Sequence, residues 1–222
     1  MRRYLNILFV ILIWSCTNDQ PEPVNLGYDY YPLNTNKRVY QVSEINFNLL
    51  GPDTASYQLR ESISDTIQHE EDISYVLKRE KRADENAQWE KDSLWVVRKN
   101  DFMVSVTENN QTYVKLSFPV VIDRQWDGNA YNTESDRLYT YIETDTSQLL
   151  TTFIDSSMVT VQIAAVPDNL SFRDERFEVY AEGLGLIEKN YIRVTYCTVG
   201  CDSVKQIQSG SILNQYMIGY EE

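Results

Sequence analysis

Histidine is nearly missing from this chain: His69 is the single one among 222 residues. A Ser-His-Asp or Cys-His mechanism would have to run through it. It lies in the charged stretch Gln68-His69-Glu70-Glu71-Asp72, which reads as a hairpin turn rather than a catalytic pocket. The nucleophile elbow G-x-S-x-G is absent too. With three cysteines beside that histidine, the supply of soft ligands for a zinc site runs short. Basic residues are also scarce. Twenty Lys and Arg against 33 Asp and Glu give a net charge of −13, a surface that repels phosphate backbones and argues against nucleic acid as a partner. No apolar run reaches the roughly 20 residues that a membrane-spanning helix needs.

The opening of the chain carries the clearest pattern. Met1-Arg2-Arg3 supplies positive charge, Leu5 to Trp14 is apolar apart from Asn6, and Ser15 is a small residue ahead of Cys16. That order is the signature of a secretory signal peptide. Ile13-Trp14-Ser15-Cys16 resembles the lipobox of bacterial lipoproteins. The resemblance implies that Cys16 receives lipid and becomes the new N-terminus, so that the chain is held by its acyl chains on the bacterial outer membrane, facing the periplasm or the exterior. Two or more such chains anchor firmly where one does not. Residues 1–15 are thus expected as the signal peptide, 16–27 as a lipid-anchored tether and 28–222 as a single antiparallel β domain. Loss of Arg2 and Arg3 leaves 18 basic against 33 acidic side chains, −15 in place of −13. Thr17 to Gly27 is polar and contains Pro21 and Pro23; fully extended, it reaches roughly 35–40 Å.

With Cys16 committed to lipid, Cys197 and Cys201 remain, and an oxidising compartment favours joining them. If Thr198-Val199-Gly200 turns a hairpin, the two cysteines face each other across adjacent strands. So small a loop gains roughly 2 kcal/mol from the crosslink.

Downstream of the tether, apolar residues recur with a period of two. Ile45, Phe47 and Leu49 alternate with Glu44, Asn46 and Asn48, and Phe102, Val104 and Val106 with Asp101, Met103 and Ser105. Val114, Leu116 and Phe118 continue the pattern, as do Val159, Val161 and Ile163, then Phe177, Val179 and Ala181, then Ile192, Val194 and Tyr196. Such alternation predicts half-buried antiparallel strands. Breakers such as Gly51-Pro52-Asp53, Glu108-Asn109-Asn110 and Asp127-Gly128-Asn129 punctuate them as hairpin turns. Ser171 to Glu178 is the one stretch expected to form a turn or two of helix.

Three further segments resemble uncharacterised envelope lipoproteins of Bacteroidota. Tyr30-Tyr31-Pro32-Leu33 with Val39-Tyr40-Gln41-Val42 is similar to their opening, although Arg38 stands where an apolar or aromatic residue is usual. Phe118-Pro119 with Trp126-Asp127-Gly128-Asn129-Ala130-Tyr131-Asn132 is similar to their central segment, and Tyr180-Ala181-Glu182-Gly183-Leu184-Gly185-Leu186 to a later strand. The resemblance implies an all-β fold: one antiparallel sheet curved into a half-barrel or open barrel, like those of periplasmic lipoprotein carriers. It implies no chemistry.

Other patterns favour structural readings. Gly183-Leu184-Gly185 begins like a dinucleotide fingerprint, but Glu188 holds the third glycine position; the glycines are expected at a bulge or tight bend. Asp127 to Asp136 is rich in oxygen, yet as an EF-hand it puts Asn132 at the glycine position and Leu138 at the glutamate position. No metal and no cofactor is expected. The surplus is aromatic: 16 Tyr, 7 Phe and 4 Trp. Tyr113, Tyr139, Tyr141, Tyr180 and Tyr191 fall on the presumptive polar face of strands, with Trp126 and Tyr131 in the central segment. Exposed aromatic rows stack on sugars or proteins, and the same residues suit a partly covered sheet.

The leading expectation is a lipid-anchored, extracytoplasmic binding or interaction protein of the bacterial cell envelope, not an enzyme. It would contact another envelope protein, or an apolar or carbohydrate ligand on the concave face. A carrier of lipid or lipoprotein is the second reading. An unrecognised hydrolase is the third, because 33 carboxylates place some acid pair close together by chance.

Overall fold

Strands with one apolar face gain stability only by pairing edge to edge and rolling that face inward, and this chain does so almost from end to end. The computed structural model describes residues 24–48, 50–70, 72–145, 156–166, 168–201 and 203–221. The signal peptide, Cys16 and the tether up to residue 23 lie outside the described residues. A 3-10 turn at Tyr28–Tyr30 precedes twelve strands: β1 (Lys37–Asn48), β2 (Gly51–His69), β3 (Asp72–Arg82) and β4 (Glu90–Lys99). β5 (Met103–Glu108), β6 (Gln111–Ser117), β7 (Gln125–Asp127) and β8 (Leu138–Ile142) follow. β9 (Met158–Val166), β10 (Phe172–Ala181), β11 (Gly185–Tyr196) and β12 (Ile207–Glu221) complete the set.

All twelve form one sheet in the order β6-β5-β4-β3-β2-β1-β12-β11-β10-β9-β8-β7, antiparallel throughout. β1 and β12 pair in the middle, from Lys37↔Glu221 to Phe47↔Gly210. The two ends of the sheet, β6 and β7, curl towards each other and nearly close a barrel. Across that seam the Val114 N–H donates to Gly128 O at 2.9 Å, Trp126 Nε1 to Val114 O at 2.9 Å and Asn132 Nδ2 to Thr112 O at 2.9 Å. The Tyr141 hydroxyl accepts from Ser117 N at 2.9 Å and donates to Ser117 O at 3.0 Å. The segment from Trp126 to Asn132 is therefore the clasp of the barrel. Gly128 fits there because any Cβ would meet the Tyr139 ring at 2.2 Å.

The large interior cluster joins Ile63, Leu77, Val97, Val106, Leu116, Phe118, Tyr139, Tyr141, Val161 and Tyr180 with Tyr30 and Tyr31. The turn that carries Tyr30 and Tyr31 is held by Lys99, whose Nζ donates to Tyr28 O and Tyr31 O at 2.8 Å each. A second cluster packs Tyr40, Val42, Leu59, Val179, Ala181, Ile187 and Met217. Arg38 is buried opposite Glu61.

The all-β expectation holds, with three local differences. Ser171 to Glu178 is not helical: Phe172–Ala181 is strand β10. There Asp174 and Arg176, two apart on one strand face, pair at 2.7 Å, so the charges that looked helical fit a period of two. Phe102 precedes β5 and is 75% exposed rather than half-buried. The Cys197–Cys201 disulfide is present with Cα atoms 5.8 Å apart, yet both cysteines lie in the loop between β11 and β12 instead of on facing strands. Gly183 and Gly185, at φ +78° and +89°, form the tight β10–β11 turn, and Asn109 and Asn110, at φ +49° and +65°, form the two-residue β5–β6 hairpin loop.

Replacing Tyr141 with Phe leaves the Ser117 N–H and C=O without their seam partner. The expected cost is about 1–3 kcal/mol, read as a lower denaturant midpoint. An unchanged midpoint would mean that the seam does not hold the barrel.

Candidate functional site

A bulge aims one lysine into the barrel. Between β5 and β6 the register steps from Val104↔Leu116 to Ser105↔Val114, leaving Lys115 as the extra residue, and such bulges re-aim side chains. Burying a charge is costly unless it is matched. Lys115 Nζ lies 2.7 Å from Glu108 Oε1 and 3.1 Å from Glu178 Oε1. Glu178, only 1% exposed, is matched in turn on both oxygens. Its Oε1 meets Lys189 Nζ at 3.3 Å and accepts the Tyr191 hydroxyl at 2.6 Å; its Oε2 accepts the Tyr180 hydroxyl at 2.5 Å.

These contacts fix the charge states. Burial pushes the Glu178 carboxyl up, but Lys115, Lys189 and the two tyrosine hydroxyls outweigh it and hold the group well below the usual carboxylate range. Glu108 is lowered likewise, its burial outweighed by Lys115 and Lys189. Burial pulls the Lys115 ammonium down, whereas Glu108 and Glu178 carry it well above its ordinary value. Tyr180 and Tyr191 are pushed well up, first by burial and then by Glu178. These shifts hold Glu108 and Glu178 ionised, Lys115 charged and the two tyrosines protonated near neutral pH.

A cavity of about 30 Å³ borders the cluster, lined by Glu108, Lys115, Glu178, Lys189, Tyr31 and Arg38 among others. That is about the share of one water molecule. A larger one, of about 230 Å³, shares Glu108, Lys115 and Tyr191 and adds Tyr113, Tyr139, Asn129, Glu134, Ile163, Arg137, Arg176 and Arg193. It reaches the surface, since Arg193 and Glu134 are exposed, and forms a mouth to the buried cluster. Tyr113 stands half-buried there, its hydroxyl donating to Glu134 Oε1 at 3.1 Å.

Of the seven aromatic candidates, Tyr113, Tyr139 and Tyr191 meet at this mouth. The expectation that Tyr139, Tyr141 and Tyr180 sit on an exposed face is overturned: they are 4%, 0% and 1% exposed. The curl of the sheet makes their face the inside of a barrel. Burial raises the Tyr139 hydroxyl to about 12. Trp126 packs on Tyr141 at 4.5 Å and Tyr139 at 5.9 Å and serves the seam. Tyr131, 59% exposed, borders a separate hollow with Tyr75, Arg98 and Thr112. Sequence reasoning missed Lys115, Glu108, Glu178, Lys189 and the three arginines. Their only signal was charge inside otherwise regular strands. His69 is exposed at the end of β2. Asp127 Oδ1 accepts from the N–H groups of Asn129 and Arg137 at 2.9 and 3.0 Å, the turn role expected of an aspartate there.

The cluster sets a pH dependence. Glu178 and Glu108 have depressed values in the folded state, so their stabilisation is complete above the unfolded value near 4.5 and fades as pH falls below it. Unfolding free energy should therefore decline below about pH 4.5, and Glu178→Gln should flatten that slope while lowering stability at pH 7 by about 3–5 kcal/mol. Urea titrations over a pH series check both; an acid slope equal in the two proteins would refute the assignment.

No family model matches the chain. No curated protein matches it either. One solved structure, from Bacteroides fragilis and described as a "putative exported protein with YmcC-like fold", aligns over 86% of this chain and 98% of its own, at 9% identity and a TM-score of 0.43. At that level of likeness neither fold nor function passes from it to this chain.

Proposed function

We propose that this chain is a lipid-anchored, extracytoplasmic binding protein of the bacterial cell envelope, with the tyrosine-lined mouth of its barrel as the ligand site. The observation that carries this reading is the mouth itself. Three aromatic side chains and fixed charges line an open cavity of about 230 Å³ beside the buried charged cluster. Export and anchoring rest on the leading peptide and on Cys16.

Two rival readings fare worse. A lipid carrier needs a deep apolar interior, whereas the buried cavity here measures about 30 Å³ and is lined by Glu108, Lys115, Glu178 and Lys189. A groove of about 330 Å³ over Ile142, Phe177, Val179 and Ile192 is more apolar, but Arg173, Glu175 and Glu188 also line it. A glycoside hydrolase needs one carboxyl kept protonated as general acid; Glu108 and Glu178, the acids of the buried cluster, are both held ionised by Lys115 and Lys189, and Glu188, whose carboxyl burial raises, lies in the separate groove.

Two measurements test the proposal. The protein purified from envelopes should lack residues 1–15 and carry lipid mass on Cys16, and Cys16→Ser should release it into the soluble fraction. On an array of neutral and acidic saccharides the full chain should retain a ligand that Tyr113→Ala binds about tenfold more weakly, near the upper worth of one aromatic contact. A chain that keeps Met1 and no fatty acid would remove the anchor, and equal binding by Tyr113→Ala would move the site away from the mouth.

A further inference from the structure

Resting on that reading of the mouth, we infer that it selects a single carboxylate-bearing sugar unit, gripped by Arg137, Arg176 and Arg193. Strand register assembles the grip. β10 and β11 pair Asp174 with Arg193 and Arg176 with Tyr191, which places these side chains on one face, and Arg137 stands just before β8. Asp174 already serves two of the arginines: it accepts from Arg176 at 2.7 and 3.0 Å and lies 3.7 Å from Arg137. Arg193 has no anionic partner among the described residues.

Lys115 and Lys189 together are neutralised by Glu108 and Glu178. Counting Glu134 across the cavity, three guanidinium groups then face two carboxylates. That positive excess stands out in a chain whose net charge is −13. Like charges held close in a partly desolvated site repel, and an arriving anion relieves them. The forked guanidinium matches the two coplanar oxygens of a carboxylate, which it holds by paired hydrogen bonds.

Size and charge narrow the ligand further. The cavity of about 230 Å³ lies below the roughly 300–1,000 Å³ of drug-sized sites, so it accommodates one sugar-sized body rather than an oligomer. Tyr113 and Tyr191 supply rings for its apolar face, and the Tyr113 hydroxyl stands at its edge beside Glu134. The acidic surface repels a polyanion at long range, which leaves a short ligand, or one acidic residue of a mostly neutral glycan.

The test is calorimetric titration of the full chain with D-glucuronate, D-glucose and inorganic phosphate, at low and high salt, beside Arg193→Gln. Glucuronate should bind about tenfold or more tightly than glucose, the difference expected of an added charged contact, and should weaken with salt. Phosphate should compete only weakly, having the charge without the ring. Arg193→Gln should lose about tenfold for glucuronate and nothing for glucose, with an unchanged or raised melting temperature. Equal binding of glucose and glucuronate would overturn the charge selection while leaving a neutral sugar site. Phosphate binding as tightly as glucuronate would reduce the mouth to a general anion site. A lower melting temperature in Arg193→Gln would make the arginine structural, and no binding of any of the three would overturn both this inference and the ligand site.

Discussion

The carboxylate of Glu178 is the constraint around which the rest of the barrel is arranged. It sits on β10 and meets a lysine from β6, a lysine and a tyrosine from β11 and a tyrosine of its own strand. In the sheet, β6 and β10 are separated by seven intervening strands, so the contact between Lys115 and Glu178 crosses the lumen rather than a neighbouring ladder. Only a sheet rolled almost shut brings them together. The apolar clusters drive that rolling, and the ion pair then fixes where it stops, because a buried charge left unmatched costs several kcal/mol.

Much of this architecture is legible in the residue order. Period-two alternation at Val114, Leu116 and Phe118, and at Val159, Val161 and Ile163, marks strands correctly, as the asparagine pair at 109 and 110 marks its hairpin. The paired cysteines are readable from composition and compartment. What escapes is which face lies inside. In an open sheet the face bearing Lys115, Tyr139 and Tyr180 would be wetted; in a closed one it lines the core. A single-residue register step, such as the one that frees Lys115, has no signature in hydropathy. The apparent helix at Ser171 to Glu178 failed for a related reason: the mixed charges of Arg173-Asp174-Glu175-Arg176 match helical spacing as readily as pairing two apart along a strand.

The mouth and the buried cluster divide the labour. Deep in the barrel, Glu178, Lys115 and their tyrosines are locked into one protonation state and contribute rigidity. Nearer the surface, Arg193 and Tyr113 keep polar atoms available to solvent while their backbones remain in ordered strands. Side chains carried on strands rather than on loops hold their geometry with little ordering entropy left to lose, as the proposed ligand site would require.

The central position of β1 beside β12 has a further consequence for how the molecule comes into being. The first strand synthesised cannot complete its hydrogen bonding until the last one has emerged from the ribosome, and pairings of such large sequence separation form slowly. Strands β1 to β6 can pair as successive hairpins as they emerge, but the joint between the two halves of the sheet waits for the last strand. Closure of the barrel is thereby reserved for the finished chain, a property written into strand order.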